Sequence, residues 1–422
     1  MKIRKSGLAA AAGVLTASML GMAVPAQAAT TITIWMDQGS KDAIGAALTA
    51  WDNANAAVSV TVVVKPFGDL RKAAITAIPK GTGPDIIAGA HDWTGALVSA
   101  GVVAPVSLGA VASKFSTAAK SGFSVGGKLY GVPAWTENTA LIWNKDKVSS
   151  ADVPNTTAEF AAAIAAGQVG MHIDFKNGGT DPYHMSAFAS SFGLDEYVRK
   201  NGDWTKTLGF TDAASGGGLT KYSAWLSTKA KKIVFTDWNT NAFNFQSPDS
   251  DVAYMISGPW GSGTVINDTH TVNGVTPAKL SASRVGIAPI PSIGGKPVHQ
   301  FSGVRGYWMS KKVVGTSKAT AAGAVLQALA GATIQLASFT TEGKAPANAD
   351  ALSQVSDPLV KGFGTAGKGA YPMPSFPFQD ATFQAIGKSE AAIIKGGDAL
   401  LGKTALGYFV SSIKAQQSFI NG

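Results

Sequence analysis

The chain has 422 residues, 35 basic and 26 acidic, for a net charge of +9. With 45% hydrophobic and 14% charged residues it is not a disordered chain, and it is long enough for two or three packed domains. Its lack of cysteine excludes a disulfide framework, a thiolate zinc site, a cysteine nucleophile and a lipid anchor through Cys, and its 49 glycines without a triplet period exclude collagen.

Lys2, Arg4 and Lys5 precede an apolar run from Leu8 to Leu20, and Pro25-Ala26-Gln27-Ala28 supplies a small-x-small site. This pattern predicts an export signal over residues 1–28, cleaved after Ala28. The remaining basic residues are evenly spread and not interleaved with aromatics, so no nucleic-acid partner is expected. Ile32 to Trp35 reads as a strand, and Ile44, Leu48 and Trp51 at i, i+4, i+7 read as an amphipathic helix. Val58 to Val64 is a second strand closed by Pro66, Leu70 to Ile78 a second helix, and Gly83-Pro84 opens a short buried strand at Asp85-Ile86-Ile87. Strands also fall at Ala140–Trp143, Val252–Ile256 and Val285–Ala288, with helix after residue 390. Alternation of this kind implies βαβ units and a largely parallel sheet. Between Lys318 and Glu342 lie 23 uncharged residues, enough to cross a bilayer. Ala, Gly, Thr and Gln dominate there, however, and Ser317 as an N-cap with Gly331 as an interruption predicts a buried helix and a half.

Ligands of open α/β sheets bind beyond the carboxyl ends of the strands. Those ends carry Asp92 and Trp93 after Ile86-Ile87, Trp135 and Glu137 after Leu129 to Val132, and Trp260 after Met255-Ile256. Aromatic faces pack against the C–H face of a sugar while carboxylates accept from its hydroxyls, so a polyol or sugar site is indicated. Trp260, past a buried strand and Gly258-Pro259, is the expected stacking platform, with a core plug as the alternative. Two other motifs are coincidental. Gly122 to Gly126 matches G-x-S-x-G but leads into a strand, predicting a hairpin rather than a nucleophile elbow. Gly362 to Lys368 matches G-x-x-x-x-G-K, but Gly369 stands where Ser or Thr is required, so the stretch reads as a loop. The five histidines show no i, i+3 or i+4 pair, so neither a metal nor any other cofactor is expected. His184, beside Tyr183, is a candidate to line the cleft.

The chain resembles bacterial extracellular solute-binding proteins of the maltose/maltodextrin branch. The landmarks are Gly83-Pro84-Asp85-Ile86-Ile87 through His91-Asp92, Gly127 to Pro133, Glu137, Leu141 to Asp146, Asp181-Pro182-Tyr183, Ser257-Gly258-Pro259-Trp260 and Met373 to Pro377. The resemblance implies two α/β lobes around a cleft with three hinge crossings. Lobe one is expected at residues 29–136 plus 285–340 and lobe two at 137–284 plus 341–422. It further implies a non-enzymatic, monomeric protein of the periplasm or cell surface that binds an oligosaccharide and delivers it to the permease subunits of an ABC importer. Asp92, Glu137 and Asp181 match sugar-binding acids, Tyr183 and Trp260 match stacking aromatics, and Phe383 falls where the family has a stacking tryptophan. There are departures. Gly89 stands where a maltose binder carries a Trp, Trp93 and Gly387 where it carries Arg, and Asp181 is one methylene shorter than the usual Glu. The Asp37 to Lys41 segment aligns poorly. The same scaffold binding another solute, and a glycoside hydrolase using Asp92 and Glu137 as its carboxyl pair, are the competing readings.

Overall fold

The computed structural model describes residues 28–173, 179–201, 203–396, and 407, 410, 411, 413 and 414. The expected export signal therefore lies outside the described residues, apart from Ala28. Strand Thr30–Met36 alternates Ile32, Ile34 and Met36 into the core, as a half-buried strand should. Asp37 then caps helix Gln38–Asn53 by accepting from the Ser40 N–H. Strand Val58–Val64 and helix Phe67–Ala77 follow, then strand Ile86–Ala90, all close to their sequence-based spans.

Among the described residues the main strands form two sheets. The first runs in the order Ala345–Pro346, Gly131–Asn138, Phe301–Met309, Ile86–Ala90, Thr30–Met36 and Val58–Val64, with Tyr371–Pro372 paired to Phe301–Met309. The second runs Val234–Thr236, Val169–His172, Tyr254–Ser257, Ala140–Asn144 and Val285–Ala288. Both are mixed rather than largely parallel. Thr30–Met36 is parallel to its two neighbours, whereas Phe301–Met309 is antiparallel to Ile86–Ala90 and Gly131–Asn138. The cause is topological: a chain that leaves one lobe along one strand and returns along the next reverses direction.

Each sheet is covered on both faces, giving two α/β lobes. In the first, Ile32, Ile34, Ile44, Leu48, Val325 and Leu329 pack on one side and Leu70, Ile87, Leu97 and Trp308 on the other. In the second, Leu141, Met171, Phe188, Tyr222 and Ile393 oppose Ile142, Met255, Phe245 and Phe363. The uncharged stretch forms helices Lys318–Ala330 and Ala332–Glu342, bent by 55° about Gly331, and no single described helix is long and apolar enough to cross a membrane. Ser317 stands at the N-cap but makes no side-chain capping bond. The G-x-S-x-G stretch is a hairpin, as its context predicts, with Gly126 and Gly127 at φ 58° and 74° between the paired Ser124–Val125 and Lys128–Leu129. The Gly362 to Lys368 stretch is a correction, because most of it belongs to helix Pro358–Ala366, capped by Asp357, rather than to a loop.

The expected lobe boundaries also shift. Val285–Ala288 pairs with Ala140–Asn144 in the second sheet, so lobe one resumes at Phe301 and not at residue 285. Ala345–Pro346 still pairs with Trp135 and Thr136, so lobe one extends beyond residue 340. The chain passes between sheets at Thr139, again before Phe301, and a third time after Pro346. These passages meet at Gln300, which is 2% exposed and donates from Nε2 to Thr139 O at 3.1 Å and to Ala366 O at 2.7 Å. Asn138 Nδ2 adds a bond to Phe363 O at 3.2 Å.

Replacing Gln300 by Leu keeps the volume but strands two buried carbonyls. Unfolding free energy from urea titration should fall by about 2–3 kcal/mol. An unchanged midpoint would show that the crossings hold without this side chain.

Candidate functional site

On the lobe-one side, strand Ile86–Ala90 runs into a one-turn helix, His91–Trp93. His91 is fully buried. Val304 N–H donates to its Nδ1 at 3.0 Å, so Nε2 carries the proton and donates to Met373 O at 3.1 Å. Burial lowers its pKa to about 4, which leaves it neutral and pinned. The next residue, Asp92, is therefore held in place. It is 9% exposed, burial pushes its carboxyl up to about 7 against the pull of Arg71, and Oδ1 has no hydrogen-bond partner among the described residues. Trp93 is buried, stacked on Trp308 at 6.2 Å and tilted against Phe67 at 4.8 Å. A Cβ on Gly89 would come within 2.2 Å of the Trp93 ring. Gly89 and Trp93 are thus one exchange, in which the ring at 93 occupies the space a side chain at 89 would need.

Trp135 and Glu137 lie inside strand Gly131–Asn138 and not past its end, which corrects the expected placement. A register shift between Arg305 and Gly306 sets Trp135 opposite Arg305 and Glu137 opposite Gly303. Trp135 is 3% exposed and supports Glu137 from below, donating from Nε1 to Oε2 at 3.2 Å. Over its other neighbours stands Arg305, 5.6 Å from the Trp135 ring, 4.3 Å from the Phe67 ring, and ion-paired with Asp37. Burial raises the Asp37 carboxyl, but Arg305 and the Ser40 hydrogen bonds outweigh it and hold the group below its ordinary value. Gly303 has a steric reason to be glycine: a Cβ there would lie 3.0 Å from Glu137 Cγ and 3.5 Å from the Tyr183 hydroxyl.

On the lobe-two side, Asp181 caps helix Pro182–Ser191, accepting from Tyr183 N–H at 3.0 Å. Its other oxygen meets His184 Nδ1 at 2.5 Å. The Asp181 side chain keeps 44% exposure in the cleft. Burial raises its pKa, but the His184 contact and the Tyr183 N–H prevail and the carboxyl is held low. Tyr183 packs on Trp260 at 5.9 Å and stacks on Phe301 at 6.5 Å, and Phe301 meets Phe383 at 5.8 Å. Trp260 stands in the first turn of helix Pro259–Asn267, partly exposed, with His184 edge-on at 5.8 Å. His184 is buried behind these rings instead of facing solvent. Beside Asp181 opens a groove of about 460 Å³ walled by His172, Asp237 and Trp238.

The lobes meet at Tyr183. Its hydroxyl donates to Glu137 O at 3.4 Å, and its phenol is raised well above its ordinary value by burial, then by the Glu137, Asp181 and Asp92 charges. Of the three acids singled out in the sequence, Asp181 and Glu137 meet at Tyr183, the first at its N–H and the second at its hydroxyl through the backbone carbonyl. Trp93 and Trp135 are buried as supports, and Phe383 sits one ring farther out, behind Phe301. Sequence reasoning missed Phe67, Arg305, Phe301 and Trp238. Asp37 was legible as a cap, being Asp followed by a helix with Ser three residues on. Chemically the arrangement offers aromatic faces beside carboxylate acceptors, which suits a polyhydroxylated ring. Among the described residues no group of three His, Asp or Glu can hold a metal ion.

A carboxyl raised to about 7 costs stability once the unfolded chain ionises. Asp92 in the unfolded chain titrates near 4, so its destabilising effect sets in above that pH and is complete above about 7. Asp92→Asn should therefore stabilise the ligand-free protein by roughly 2–4 kcal/mol at pH 8, with the gain vanishing at pH 4. Urea titrations across that range check this, and a gain that does not change with pH would remove the ionisation argument.

A family profile described as bacterial extracellular solute-binding protein matches residues 45–361. A maltooligosaccharide ABC transporter solute-binding lipoprotein of Streptococcus pneumoniae is 24% identical over 87% of this chain and 87% of its own length. A galactooligosaccharide-binding protein of Bacillus subtilis is 25% identical over 66% of this chain and 64% of its own. In structure, the maltotriose-binding protein of Thermus thermophilus, solved with maltotriose, superposes with a TM-score of 0.75 at 23% identity, covering 92% of this chain and 100% of that one. These are binding proteins and not enzymes. With its two lobes, its cleft and a family match over most of its length, the chain belongs to the bacterial extracellular solute-binding proteins.

Proposed function

We propose that this protein captures maltose- or maltodextrin-type oligosaccharides outside the cell and delivers them to the permease subunits of an ABC importer. The observation that carries the reading is the junction at Tyr183, whose N–H meets Asp181, whose hydroxyl meets Glu137 O and whose ring packs against Trp260. Neutral hydroxyls satisfy such acceptors without a counter-charge, while the rings take the apolar face of the sugar. The Streptococcus pneumoniae and Thermus thermophilus relatives, named for maltooligosaccharide and maltotriose, support the α-glucan choice. Trp93, Trp135 and Phe383 are assigned as the packing that holds the contact residues. The export signal, cleaved after Ala28, belongs to the same reading, and without cysteine the chain offers no thiol for a lipid. A second reading, a galactooligosaccharide ligand on the same scaffold, is favoured by the Bacillus subtilis relative.

Thermal-shift and calorimetric titration against maltose, maltotriose, maltotetraose and galactooligosaccharides tests both. Binding of an α-glucan near micromolar, about −8 kcal/mol, with the sugar recovered intact, is the expected result. Saturation by a galactoside alone would select the second reading. Shortened oligosaccharides after incubation would reinstate a hydrolase using the raised Asp92.

Trp260→Ala should lose about 2 kcal/mol or more of binding while the ligand-free melting temperature changes little. If folding stability falls by the ~3–5 kcal/mol of a core deletion instead, Trp260 is a plug and not a platform.

A further inference from the structure

Helix Gln379–Gly396 lies across helix Gly218–Thr228 and presses on the stretch just before Asp181. Thr180 N–H donates to Gly387 O at 2.8 Å. The approach leaves no room for side chains: a Cβ on Gly387 would lie 2.6 Å from Thr180 O, and one on Gly179 would lie 3.1 Å from Gly387 C. One turn beyond Gly387 stands Glu390, with no solvent exposure. Its two oxygens serve different neighbours. Oε2 accepts from the Thr180 hydroxyl, and Oε1 accepts from the Tyr222 hydroxyl at 2.8 Å.

A fully buried carboxyl is an expensive way to fill a core, since apolar residues of similar size are often neutral or stabilising there. Burial pushes Glu390 up to about 7, against the pull of its two hydroxyl partners. What the group does beyond filling space is fix Thr180 from the side, while Gly387 fixes it through the backbone. Thr180 is followed directly by Asp181, whose carboxyl caps the helix carrying Tyr183 and His184. Tyr183 in turn reaches Glu137 O and the Trp260 ring.

We infer that Glu390 is a positioning residue for the sugar site, acting through Thr180 to set Asp181 and the angle of Tyr183 against Trp260. This inference rests on the carbohydrate reading above. Among the described residues Glu390 is hydrogen-bonded to Thr180 and Tyr222 and not to Asp181, Tyr183 or Trp260, and its Tyr222 arm belongs to the core, which separates positioning from packing.

The test is a maltotriose titration of the full chain, followed by intrinsic fluorescence, for wild type and for Thr180→Val, Glu390→Leu, Glu390→Gln, Tyr222→Phe and the Thr180→Val/Glu390→Leu pair. Thr180→Val and Glu390→Leu should each weaken binding about tenfold, and the pair no more than either alone, because both break one link. Glu390→Gln, which keeps an acceptor for Thr180, should restore affinity to within about threefold of wild type. Tyr222→Phe should lower the melting temperature yet bind as wild type does. If Thr180→Val and Glu390→Leu bind like wild type, or if the pair is additive, the inference fails and the sugar reading stands. If Glu390→Leu does not fold, Thr180→Val against Glu390→Gln still decides. Wild type that binds no sugar overturns the carbohydrate reading and this inference together.

Discussion

One amide carries the waist of this molecule. Gln300 donates both of its Nε2 bonds to carbonyls from the other two chain passages, Thr139 and Ala366, so three segments distant in sequence are held by a single planar group. The residue that follows, Phe301, donates its N–H to Ser186 Oγ of lobe two at 3.0 Å and begins the strand that forms the spine of lobe one. That strand then presents Phe301, Gly303, Arg305 and Trp308 in turn to the cleft aromatics, Glu137, Asp37 and the Trp93 ring. It pairs antiparallel with Ile86–Ala90 and Gly131–Asn138 and parallel with Tyr371–Pro372, so residues from the first and last thirds of the chain share one surface. The site is therefore a product of how the chain crosses between lobes.

Within the cleft the acids fall into two kinds. Asp37 and Asp181 already have partners before any ligand arrives, Asp37 in its ion pair with Arg305 and Asp181 in its hydrogen bond with His184. Asp92 is the opposite: buried, raised, and with an oxygen that has no hydrogen-bond partner among the described residues. Paired carboxylates stiffen their surroundings, whereas an unpaired one stores free energy that a hydroxyl can release. A site built this way favours a neutral ligand, since a cation would compete with Arg305 and Arg71 and an anion would meet the acids.

Much of the fold was legible in the sequence because periodicity reports burial directly. Ile32, Ile34 and Met36, or the i, i+4, i+7 run of Ile44, Leu48 and Trp51, need no tertiary information. Strand direction is different, since it depends on where the chain reverses between lobes, and no local pattern encodes that. The family landmarks were legible as well, yet several of them prove to be fold brackets. Asp85 accepts from Thr33 N–H at 2.9 Å and pairs with Lys312 and Lys318, and Asn144 ties its strand to Phe245 O at 2.8 Å. Trp93 and Trp135 illustrate the limit of residue type as a guide: an indole near a strand end reads as a platform, but whether its face is open depends on Phe67 and Arg305, which lie far away in sequence. The Gly89 and Trp93 departures looked like two losses and are one rearrangement.

The close approach at Gly387 bears on how this protein can change over generations. A glycine codon becomes an arginine codon by a single base substitution, so a long basic side chain at that position is always one mutational step away. Thr180 O stands 2.6 Å from where the first side-chain atom would go, and the helix bearing Gly387 is tied down by Glu390 three residues later. The step is short in the genetic code and blocked in space. A side chain at this position would have to wait until the helix docks differently.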